Sequence, residues 1–130
     1  MSVRYTLRDA ERWAAFSGDR NPIHFDAAEA RRLGLDGLCV HGMRALLDVK
    51  AGLSQALEKH TLWSDGLLFT SRLRDPVLCS VPYQLSLNET HTGERVQISG
   101  NLVNSYTLQS SISSKLTEAR SALARAQDDL

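Results

Sequence analysis

The chain has 130 residues, 42% of them hydrophobic, which suits one compact domain with a real core and leaves no room for a second. Its 15 basic and 15 acidic residues give a formal net charge of zero, so no global field draws it to nucleic acid or to an anionic membrane surface. No stretch approaches the roughly 20 apolar residues that cross a bilayer, and the start Met1-Ser2-Val3-Arg4-Tyr5 lacks the apolar core of a signal peptide, so a cytoplasmic location is expected.

In chain order, Thr6 is placed to cap a helix from about Leu7 to Phe16, with Leu7, Ala10, Trp13 or Ala14, and Phe16 along one side. That helix leads straight into Ser17-Gly18-Asp19-Arg20-Asn21-Pro22-Ile23-His24. Gly18 and the Asn21-Pro22 pair force a turn, because proline fixes its own φ and drives the preceding residue out of the helical region. An acid at 19 and an imidazole at 24 are thereby held close together. Asp26 opens a second helix over Ala27 to Leu33, with Glu29 completing a capping box and Arg31 and Arg32 near the C-terminal end, where cations suit the helix dipole. Gly34 stops it. Gly37-Leu38-Cys39-Val40-His41-Gly42-Met43 then delivers the chain into an apolar-striped helix from Met43 to about His60, whose first free N–H groups fall near residues 42 to 45. Leu46, Val49, Leu53 and Ala56 or Leu57 recur there at helical spacing, which marks a central helix wrapped by a sheet.

After Ser64-Asp65-Gly66 the apolar period shortens from about 3.6 to about 2 residues, and helices give way to strands. Four are expected: Leu67 to Leu73, one around Tyr83, Leu85 and Leu87, one around Val96, Ile98 and Leu102, and Tyr106 to Ser113. Thr92-Gly93 serves as a hairpin turn and Val103-Asn104-Ser105 as another connection. Helices followed by an antiparallel meander read as α+β. From Lys115 to Leu130, Leu116, Ala119, Leu123, Ala126 and Leu130 recur at spacings of three and four, so a last helix is expected to pack on its own domain or on a partner. Cys39 and Cys79 lack metal-type spacing and read as small core residues, and His60 and His91 sit in no motif.

The run Phe16-Ser17-Gly18-Asp19, then Asn21-Pro22-Ile23-His24, then Val40-His41-Gly42-Met43, resembles the signature of MaoC-like dehydratases, the (R)-specific enoyl-CoA hydratases with the hot dog fold. The likeness is specific over residues 16 to 43. It continues more thinly to about residue 113, with Asp75-Pro76-Val77 still in register. It implies a curved antiparallel sheet wrapped around the long helix, with residues 1 to 114 forming the hot dog domain and residues 115 to 130 an addition that the family does not explain. Three departures stand out. Only five residues precede Thr6, so the family's first strand is missing or much reduced. Leu78-Cys79-Ser80-Val81-Pro82 replaces a loop that commonly carries Gly-Asp. Lys50 or a neighbour stands where relatives often line the substrate tunnel with a small hydroxyl residue, which points to a short or polar acyl chain, or to an acyl group presented on a carrier protein.

The resemblance further implies that Asp19 and His24 hold one water and add it reversibly across the double bond of a trans-2-enoyl thioester, giving an (R)-3-hydroxyacyl thioester. The backbone N–H of Gly42 matches the donor to the thioester oxygen, which gains charge as the enolate forms. Ser17, Asn21 and His41 are supporting residues: Asn21 for the loop or His24, and His41 as a hydrogen-bonding residue under the helix start. Arg31, Arg32 and Arg44 are candidates for coenzyme A or phosphopantetheine phosphates, with solvated surface as the alternative for each. No metal and no separate cofactor is expected, since coenzyme A or phosphopantetheine belongs to the substrate. A homodimer is expected, because the family pairs its sheets across a two-fold axis. A hot dog thioesterase and a non-catalytic subunit or acyl-carrier-binding scaffold are the alternatives.

Overall fold

The computed structural model describes residues 1–58, 67–92 and 95–118. Five strands form one antiparallel sheet: β1 (Ser2–Arg4), β2 (Leu67–Leu73), β3 (Pro82–Thr92), β4 (Arg95–Asn104) and β5 (Ser110–Glu118), in the order β1-β3-β4-β5-β2. Helix α1 (Leu7–Ser17) follows β1, α2 (Ala27–Arg32) follows a 3₁₀ turn over Pro22–His24, and α3 (Gly42–Glu58) lies across the sheet. This is the hot dog arrangement, α+β, with α3 as the filling.

Alternation in the strands decides what α3 meets. Tyr83, Leu85, Ile98, Leu102, Ile112 and Leu116 are buried on the inner face, and Val49, Leu53 and Leu57 of α3 pack into the same core. Glycines let the layers close up. A Cβ on Gly52 would run into Leu85 Cδ2, and one on Gly100 would stand 2.9 Å from Leu53 Cδ2. The N-terminal strand, three residues long, is much reduced but present, pairing Val3 with Tyr83. Tyr5 anchors it: its buried hydroxyl donates to Asp48 Oδ2 at 2.7 Å, and Arg44 Nη1 donates to the same oxygen at 3.0 Å.

Several sequence expectations need correction. The strands are not one continuous meander, because β2 pairs with β5 at the far edge. The last strand begins at Ser110 rather than Tyr106. Asn104 Oδ1 accepts from the N–H groups of Tyr106 and Thr107, and this turn holds residues 105 to 107 out of the sheet. That strand also runs to Glu118, so Lys115 to Glu118 are sheet residues where helix was expected. Ile112, Ser114 and Leu116 alternate inward, and this period of two takes precedence over helical spacing. The rest of the expected C-terminal helix, His60 and the turn at Gly93 lie outside the described residues. On α1, Ala10 and Ala14 are buried while Leu7 and Phe16 are exposed. On α2, Asp26 caps as expected, but the Glu29 carboxylate turns to Arg32 instead of closing the box.

Candidate active site

Thr6 and Asp9 form a full capping box at the start of α1, and Gly18 ends it at φ 78°, a left-handed conformation that glycine adopts freely. The chain then threads a ladder of side-chain caps. Ser17 Oγ accepts from Asp19 N, Asp19 Oδ1 from Asn21 N, and Asn21 Oδ1 from Ile23 N. Asn21 therefore fixes the loop and not the imidazole directly. The ladder sets Asp19 Oδ2 3.7 Å from His24 Nε2, with Asp19 half-exposed and His24 buried.

His24 is held from its other side. Its Nδ1 lies 2.7 Å from the Cys39 carbonyl, which can only accept, so Nδ1 carries the proton and the lone pair of the neutral ring sits on Nε2, toward Asp19. Cys39 is placed by its own tie, Cys39 N donating to Ile23 O at 3.0 Å. Beneath lies His41, its ring stacked on His24 with centroids 3.7 Å apart and planes 22° from parallel. His41 Nε2 donates to the Asp19 carbonyl at 2.9 Å, and its carbonyl accepts from Arg44 N and Ala45 N as the first acceptor of α3. His41 Nδ1 is buried with no hydrogen-bond partner among the described residues. Asp19, His24 and His41 thus bring potential metal-ligating atoms within 4.8 Å of one another, a convergence that sequence spacing does not reveal. Because the two rings stack near-parallel, their nitrogens point along separate planes.

A cavity of about 300 Å³ opens beside His24, walled by Ile23, Val40, Gly42, Leu73, Val77 and Ile112. Gly42 is the first residue of α3, where backbone N–H groups have no intrahelical acceptor. Asp19 is not part of this lining; it approaches His24 from the solvent side.

The family model of the MaoC like domain matches residues 1–79, more than half of the chain. The chain belongs to this MaoC-like family. Among solved structures, an (R)-hydratase from A. caviae involved in PHA biosynthesis is similar at 20% identity and TM-score 0.66, with 92% of each chain covered. The unliganded R-hydratase PhaJ1 from Pseudomonas aeruginosa is similar at 26% identity and TM-score 0.59, over 92% of this chain and 77% of that one. HtdX from Mycobacterium tuberculosis reaches a TM-score of 0.69 at 24% identity, with 92% of this chain spanning 44% of that one. No curated protein matches the chain.

In this MaoC-like chain, the cations singled out from sequence stand away from the cavity lining. Arg32 is forked onto Glu29, which draws the Glu29 carboxyl below its usual range through that hydrogen bond. Arg31 sits on the same exposed turn of α2. Arg44 is engaged by Asp48 and lies over the Tyr5 ring, and Lys50 lies over the Phe69 ring with Nζ 5.4 Å from its centroid. The apolar walls Leu73, Val77 and Ile112 and the orienting carbonyl of Cys39 escape motif reading, because backbone carbonyls carry no sequence signal. Burial raises the Cys39 thiol above its usual range, which keeps it protonated beside the cavity. In the departing loop 78–82, Ser80 adopts φ 64°, a conformation that glycine takes freely, and is held by Ser80 N donating to Tyr5 O.

Proposed function

We propose that the protein is an acyl-thioester hydratase/dehydratase, adding water reversibly to a trans-2-enoyl thioester to give an (R)-3-hydroxyacyl thioester. The observation that carries this reading is the 3.7 Å gap between His24 Nε2 and Asp19 Oδ2, which lets one water touch both groups. With the acyl chain against Val40, Leu73, Val77 and Ile112, the water oxygen attacks C3 while its proton passes to the pair. The C2=C3 electrons move onto the thioester oxygen as an enolate, which the Gly42 N–H stabilises, and the proton returns to C2 on the same face. His24 and Asp19 transfer the proton, and Gly42 receives the charge. Ser17, Asn21 and His41 hold these three in place.

A homodimer is proposed with this activity, since β2 forms an edge of the sheet with no further strand beside it among the described residues. Two-chain assemblies also occur on this fold, as in the HadBC and ChsH1-ChsH2 complexes of Mycobacterium tuberculosis, at 12% and 15% identity. The deciding experiment incubates purified protein with crotonyl-CoA and with 3-hydroxybutyryl-CoA, following alkene absorbance and free thiol together. Loss of alkene without thiol release supports the hydratase. Thiol release without hydration overturns it in favour of a thioesterase.

A further inference from the structure

The outer face of the sheet, turned away from α3, carries a charge pattern that the neutral net charge conceals. Register places Ser99, Lys115 and Thr70 side by side across β4, β5 and β2, and Asn101, Ser113 and Arg72 in the next row on the same face. Continuing onto β3, Asn88 lies beside Ser99 and Ser86 beside Asn101. Among the described residues of these rows there is no carboxylate. Arg74 joins them from just beyond β2, its Nε donating to Ser113 Oγ at 2.9 Å. Ser113 Oγ in turn donates to Asn101 Oδ1 at 2.9 Å, which leaves the Asn101 amide N–H groups facing no acceptor among the described residues. The rows border a groove of about 440 Å³. Arg72, Arg74 and Lys115 are exposed, and none makes an ion pair among the described residues.

Like charges gathered without counter-ions repel, so the arrangement is favourable when an anion lies among them. Guanidinium groups match phosphate oxygens with paired donors, and hydroxyl and amide groups complete such a site. Arg74 also borders the cavity beside His24, so groove and cavity meet at that residue.

We propose that this groove binds the phosphate groups of a coenzyme A thioester whose acyl end occupies the cavity beside His24. The inference rests on the hydratase reading above and names its carrier. Three cations in one groove match a ligand bearing a diphosphate and a separate phosphate. A carrier protein's arm offers a single phosphodiester.

The test compares kcat/KM on crotonyl-CoA with that on crotonyl-pantetheine, which has the same acyl group and arm without phosphate. The full chain is measured beside Arg72→Ala and Lys115→Gln, and binding of 3′,5′-ADP is followed by calorimetry. The parent is expected to favour the coenzyme A thioester, and each variant to lower the ratio about tenfold, mainly through KM. Binding of 3′,5′-ADP is expected to weaken with added salt and to fall in both variants. An unchanged ratio in either folded variant, or no 3′,5′-ADP binding by the parent, overturns the groove. Preference for an acyl carrier protein thioester over crotonyl-CoA, lost in the variants, overturns the coenzyme A assignment in favour of a protein carrier. A chain that hydrates neither thioester, yet binds 3′,5′-ADP in a way that Arg72→Ala abolishes, keeps the groove and loses the hydratase reading.

Discussion

His41 lies face to face with His24, ring centroids 3.7 Å apart, while its Nε2 donates to the carbonyl of Asp19. One side chain thus underlies the imidazole and pins the backbone of the acid. Its Nδ1 is buried with no partner among the described residues, and leaving such a group unpaired costs about 1–3 kcal/mol. His41→Phe keeps a ring under His24 but removes both the donated bond and the orphaned nitrogen. The two effects on stability oppose each other, whereas only the lost bond bears on Asp19. Steady-state kinetics are expected to show kcat/KM falling about tenfold, with the melting temperature changed by no more than about 4 °C. Full activity in this variant removes His41 from the support of the site.

Asp19→Asn separates chemistry from architecture. An asparagine at 19 still offers an oxygen to Asn21 N, so the turn survives, but it no longer accepts a proton from a water shared with His24. Hydration is expected to drop by about 10² to 10⁴ with little change in melting temperature. His24→Ala is expected to lose as much activity and also to unfold at lower temperature, because the ring is buried and stacked. Turnover equal to the parent in either variant rules out the shared-water mechanism.

The parts of the site legible in the sequence were those fixed by local chemistry. Gly18, Asn21-Pro22 and Asp26 act on backbone within a few residues, so the approach of Asp19 to His24 followed from the turn alone. The stack of His41 on His24 spans 17 positions, and the segment carrying His41 is held by Cys39 pairing with Leu78, which no local rule supplies. The cavity walls come from β2, β5 and the segment after β2, brought together by sheet order. The same long-range order hid the cationic groove, since Arg72 and Lys115 are far apart in sequence and become neighbours only through the β2–β5 register. Misreading Lys115–Glu118 as helix had a different cause: Leu116 fits both periods, and burial on the sheet chose between them.

Tyr5 predicts a pH signature. Burial first, then its bond to Asp48, raises the phenol far above its ordinary value of 10.0. Above about pH 10 the unfolded chain releases this proton and the folded chain keeps it, so the unfolded state binds fewer protons and stability falls as pH rises. Below that pH the contribution is complete. Tyr5→Phe has no such proton, so melting temperatures followed from about pH 8 to pH 11 are expected to decline less steeply in the variant than in the parent. Parallel declines indicate that the Tyr5 hydroxyl is not buried against Asp48 in solution.

Gly52 tests whether the helix and sheet are as closely seated as the fold requires. An added methyl group there meets Leu85 Cδ2, and Leu85 is buried on the inner face of β3 in a core that also includes Leu53 and Ile98. Mid-helix, alanine in place of glycine is intrinsically favourable by about 1 kcal/mol. Overpacking a filled core costs about 1–3 kcal/mol, because Leu85 must leave its rotamer or α3 must lift from the sheet. The second effect exceeds the first over most of that range, so Gly52→Ala is expected to lower unfolding free energy by up to about 2 kcal/mol in urea titration. Leu85→Ala removes the obstructing atom, and in that background Gly52→Ala is expected to become neutral or stabilising. If Gly52→Ala stabilises the parent chain instead, α3 does not lie against β3 at this position.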